Sequence, residues 1–142
     1  MNPKLLAIRM VEYYTMDGVL QGLGLFMARY TCSFVLSVSI DHLQPLLVDL
    51  LQVSGLDVQY YTADYIMARE IPGSVAFSRL VTVEILIDKT TATESETRIN
   101  IVIKNEELPL QLENHCRQVF EFIKQEIEQS RHWHLIESLE TK

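Results

Sequence analysis

The chain has 142 residues, a length suited to one domain that buries roughly 68% of its unfolded surface and needs no disulfide or metal staple. With 48% hydrophobic and 22% charged residues it is not a disordered tail, a collagen-like repeat or a coiled coil. A net charge of −7 disfavours nucleic acid and anionic membrane as partners, because both repel an acidic surface unless a local basic face overrides the average.

At the start of the chain, Leu5, Leu6, Ile8, Val11, Tyr14 and Met16 fit an amphipathic helix, which Gly18, Gly22 and Gly24 stop before the first strand. Lys4 and Arg9 are balanced by Glu12 and Asp17, so the segment lacks the basic bias of a membrane-surface helix. Residues 1–26 are therefore expected to be a poorly ordered N-terminal extension ahead of a single α+β domain at 27–142. The longest uncharged stretches, 18–28 and 30–40, are eleven residues each, against the roughly 20 that a membrane-spanning helix needs. The segment also lacks a signal-peptide pattern, and the expected location is the cytoplasm.

Residues 30–40 alternate: Cys32, Phe34, Leu36, Val38 and Ile40 share one face, while Thr31, Ser33, Ser37 and Ser39 share the other. That period of two predicts a half-buried strand. Asp41 and Gln44 suggest a capped helix start. Leu43, Leu46, Leu47, Leu50 and Leu51 follow at helical spacing up to Gly55, a residue suited to ending a helix. Residues 58–61 and 65–71 read as a hairpin turning at 62–64, with a single bent strand as the alternative. Residues 80–88 and 98–104 alternate strongly around a polar loop and predict a second hairpin. Pro109 suits the first turn of a last helix of about 20 residues, with Leu112, Cys116, Val119, Phe120, Ile123 and Ile127 in one apolar stripe. His132 to Ile136 trails it as an extension or a final packed segment.

The order strand, helix, four strands, helix predicts an α+β fold: one curved antiparallel sheet with two helices on its apolar face and a polar face left open. In topology it resembles the TATA-binding-protein-like or helix-grip class, over about residues 27–131. The stretches MARYTCSFVLSV, ADYIMAREIPG with LVTVEILID, and KNEELPLQLENHCRQVF resemble a small family of cyanobacterial proteins of unknown function. That resemblance implies a cytosolic protein and a chain start near Met27, and it supplies no activity.

The open face supplies the candidate site. Alternation places Thr31, Ser33, Ser37, Ser39, Gln59, Tyr61, Thr82, Glu84, Arg98, Asn100 and Lys104 on it, and the hairpin register adds Tyr65, Met67 and Arg69. Arg69, Arg98, Lys104, Tyr61, Tyr65 and Asn100 are the expected binding residues, with the three cations forming one positive patch on an acidic protein. Catalytic and metal-binding residues are not expected, nor is a cofactor. His115 and His132 are 17 positions apart, about 25 Å on a continuous helix, too far to share a metal. Cys32 and Cys116 read as reduced core thiols, and the carboxylates of the last helix as solvated charge.

The function expected from these residues is non-enzymatic: protein binding through the polar sheet face, as an assembly or regulatory factor, with homo-oligomer formation left open. The alternative is a small-molecule carrier or enzyme with a pocket between the C-terminal helix and the sheet. The large inward residues Phe34, Leu36, Ile85, Ile101 and Phe120 favour a filled core instead. A secretion-type chaperone would need a large exposed apolar patch, which the sequence does not locate.

Overall fold

The computed structural model describes residues 11–15, 27–73, 75–106 and 114–139, with the backbone alone at 11–15 and Met27. Among the described residues seven strands and two helices follow in chain order. They are β1 (Val11–Thr15), β2 (Met27–Leu36), α1 (Ile40–Val53), β3 (Leu56–Thr62), β4 (Tyr65–Glu70), β5 (Thr82–Asp88), β6 (Thr97–Asn105), α2 (His115–Gln129) and β7 (Leu135–Leu139). A short 3-10 turn, Phe77–Arg79, lies between β4 and β5. All neighbouring strands are antiparallel, in the spatial order β1-β2-β6-β5-β4-β3. β7 also pairs β2, at Ser33 to Leu36, while β1 pairs its first half at Met27 to Thr31. The two short strands thus lie end to end along one edge of β2.

The expected α+β order holds from β2 to α2, and both helices cover one face. Ala28, Tyr30, Cys32, Phe34 and Leu36 of β2 bury with Ile66, Val83, Ile85, Ile99, Ile101 and Ile103 of the sheet, Leu43, Leu47 and Leu51 of α1, and Cys116, Phe120, Ile123 and Ile127 of α2. Every second residue of a strand and every third or fourth of a helix is drawn into one core, which is what the two periodicities require. The Tyr30 ring stacks on Phe120 at 5.4 Å, and its hydroxyl accepts a 2.9 Å hydrogen bond from the Asn114 amide. Trp133 is buried and donates its indole N–H to the Ile127 carbonyl at 2.9 Å, which turns the chain from α2 toward β7.

Four local expectations change. The strand at Val11–Thr15 replaces helix over those residues and draws part of the expected extension into the sheet; the rest of 1–26 lies outside the described residues. α1 starts at Ile40 with Ser39 as N-cap, so Asp41 lies in the first turn, and Gln44 donates instead to the Thr62 carbonyl at 3.0 Å. Asn114 caps α2, its side chain accepting the Arg117 N–H at 3.1 Å; Pro109 and Leu112 lie outside the described residues. The segment after α2 ends in a strand, β7. Gly55 follows α1 at φ +85°, a left-handed conformation that glycine adopts without a Cβ penalty. Among the described residues no helix is long and apolar enough to cross a membrane.

Candidate functional site on the open sheet face

A strand sends alternate side chains to opposite faces, so the residues opposite the core positions form the open face. The registers arrange them in rows running across the strands. The first row is Arg29, Lys104, Thr82, Arg69 and Asp57; the second is Thr31, Val102, Glu84, Met67 and Tyr60. The third is Ser33, Asn100, Leu86, Tyr65 and Thr62, and the last is Val35, Arg98 and Asp88. Neighbours within a row are about 4.8 Å apart.

This placement corrects the expected site in three ways. Between Val58 and Tyr60 the register of β3 shifts by one residue, so Gln59 is an extra residue facing β4. Tyr60 therefore takes the open face beside Tyr65, with ring centroids 6.0 Å apart, while Tyr61 opposes the core residue Ile66 and is directed to the helix side. The three expected cations also do not form one patch. Arg98 lies six residues from Lys104 along β6, about 20 Å away, and faces Asp88. Arg29 takes its place, one strand from Lys104. Finally, the face is less polar than alternation suggested: Leu86 is 47% exposed and Tyr60 55% exposed, flanked by half-buried Val102, Met67 and Tyr65.

At the centre, Lys104 Nζ lies 2.7 Å from a Glu84 carboxylate oxygen, and the Tyr65 hydroxyl donates to the other at 2.8 Å. The hydrogen bond from Lys104 is the main influence holding the Glu84 carboxyl below its ordinary range, although partial burial opposes it. The hydrogen bond to Glu84 pushes the Tyr65 phenol up to about 12. A phenol that holds its proton and a carboxylate that stays ionised suit a fixed polar brace better than general acid–base chemistry near neutral pH. Ser33 donates its hydroxyl to the Asn100 side-chain oxygen in the neighbouring row position. At the turn after β5, Asp88 accepts from the Thr90 hydroxyl at 2.6 Å, the Thr91 hydroxyl at 2.8 Å and the Thr90 N–H at 2.9 Å, and these bonds bring its carboxyl down to about 2.

Arg69 is set differently. Its guanidinium sits 5.1 Å from the centroid of the Phe77 ring, and its Nε is buried without a hydrogen-bond partner. A groove of about 480 Å³ opens beside it, lined by Asp57, Gln59, Ile71 and Phe77 among others.

On the helix side, His115 Nε2 lies 2.7 Å from Glu70, which also accepts the Val81 N–H at 3.2 Å. The pair ties the first turn of α2 to the end of β4 and borders a second groove of about 420 Å³ with Leu56 and Phe122. No local sequence pattern signals this pair, because the partners are 45 residues apart. Cys32 and Cys116 are buried, and the Cys116 thiol donates to the Ile103 carbonyl at 3.6 Å. Among the described residues no three His, Cys, Asp or Glu side chains converge as metal ligands would.

No protein-family model, curated protein or solved structure matches the chain.

Proposed function

We propose that the chain is a non-enzymatic binding module whose open sheet face receives a protein partner, as an assembly or regulatory factor. The observation that carries this reading is the exposure of Leu86 and Tyr60 on a face that neither helix covers, beside fixed cations. Apolar and aromatic side chains inside a polar, charged surround are the usual make-up of a recognition surface. The small-molecule alternative has less support, since Tyr30, Phe34, Ile101 and Phe120 fill the space between α2 and the sheet. On the sequence resemblance alone, we place the protein in the cytoplasm of a cyanobacterium. The likeness to the helix-grip class is one of element order and carries no function.

Affinity purification of the tagged chain from its own cells tests the proposal. A protein recovered by the wild type and by the helix-layer variant Gln125→Glu, and lost with Leu86→Asp, supports the open face. Equal recovery by all three chains refutes it.

A further inference from the structure

We infer that the partner presents an acidic segment, whose carboxylates lie along the row Arg29–Lys104–Thr82–Arg69. This rests on the open face being a protein-binding surface and names the chemistry it takes. Three cations stand in one row across four strands, on a protein whose net charge is −7. Glu84 pairs directly with Lys104 and only at longer range with Arg29, and among the described residues Asp57 ends the row without an ion pair to Arg69. Within the row, Arg69 is the anchor. Phe77 holds its guanidinium in place, and its Nε–H is a buried donor with no acceptor. A buried donor without an acceptor costs free energy, and an arriving carboxylate removes that cost with a charge-assisted bond. The next two rows place Val102, Met67 and Leu86 alongside, so a segment alternating acidic and apolar residues matches both rows. A nucleic acid is the poorer match. Its backbone carries a charge at every nucleotide and offers no alternating apolar side chain to Val102, Met67 and Leu86.

The test uses a fluorescein-labelled peptide of alternating glutamate and leucine, titrated with the full chain and read by anisotropy. A lysine–leucine peptide and a single-stranded thymidine 15-mer serve as the other probes. The glutamate peptide is expected to bind, more weakly as salt rises. Arg69→Gln and Arg29→Gln are each expected to weaken it about tenfold, and Arg131→Gln to leave it unchanged. Should Arg69→Gln lower the melting temperature, Arg29→Gln decides alone, because it stands on another strand. No binding, binding indifferent to Arg29→Gln, or tighter binding of either other probe overturns the inference. Failure here is separable from failure of the surface itself. A cellular partner lost with Leu86→Asp yet kept by Arg29→Gln and Arg69→Gln would retain the face and discard the acidic segment.

Discussion

Replacing Phe120 with alanine probes the packing that fixes α2 on the sheet. Phe120 is 1% exposed and stacks on Tyr30, whose hydroxyl is held in turn by Asn114. Burying a phenylalanine side chain contributes about 1.5–3 kcal/mol by transfer alone. The cavity left behind raises the cost of truncation to about 3–5 kcal/mol. The upper half of that range is expected, because Tyr30 cannot move into the space without giving up its bond to Asn114. Phe122, two positions along the same helix and 47% exposed, provides the comparison; its truncation should cost no more than about 1 kcal/mol. Urea unfolding followed by the fluorescence of Trp133, the only tryptophan, measures both variants against the wild type. A loss below about 1 kcal/mol for Phe120→Ala, or an equal loss for Phe122→Ala, would mean that α2 packs by another face.

Spectroscopic titration should find one tyrosine ionising near pH 12, returned toward the ordinary range by Glu84→Leu, which removes the hydrogen-bond acceptor that is the main cause. Because the folded-state value lies above the unfolded one, the associated stability is complete below about pH 10 and declines as pH rises toward 12; a normal titration of every tyrosine would refute the Tyr65–Glu84 bond. Glu84 has the opposite sign: its contribution is complete above the ordinary glutamate value and falls away as acid protonates it, a loss that Lys104→Met should reduce in the acid limb of stability against pH, the Tyr65 hydrogen bond remaining. A chain beginning at Met27 is expected to fold, since β6 and β7 still flank β2, but to melt at a lower temperature because the β1 ladder is gone. An unchanged melting temperature would show that β1 contributes nothing to stability.

The fold was legible where burial imposes a period. β2, β5 and β6 each bury every second residue, and α1 and α2 each bury one stripe, so their residues carried the pattern openly. β1 and β7 are five residues each, too short for alternation to stand out from chance. The face of Tyr60 was hidden by a bulge at Gln59, which no glycine or proline marks. Leu86 and Val102 carry no sequence signal of their place, because an apolar residue on an open face looks, in sequence, like one more core residue. Arg29 precedes the clear alternation of β2, and its place beside Lys104 depends on strand register, a property that a single chain pattern does not encode. The orphaned Nε of Arg69 is a matter of side-chain packing alone.

Hydroxyl-radical footprinting of the chain, alone and in extract of its own cells, addresses the binding face most directly. Tyr60 and Leu86 report on the open sheet face, and Val53 and Phe122 on the helix layer, all four being exposed in the isolated chain. The proposal predicts that extract protects Tyr60 and Leu86 and leaves Val53 and Phe122 oxidised as before. Protection of Val53 and Phe122 with Tyr60 and Leu86 unchanged would place the binding surface on the helices and contradict it.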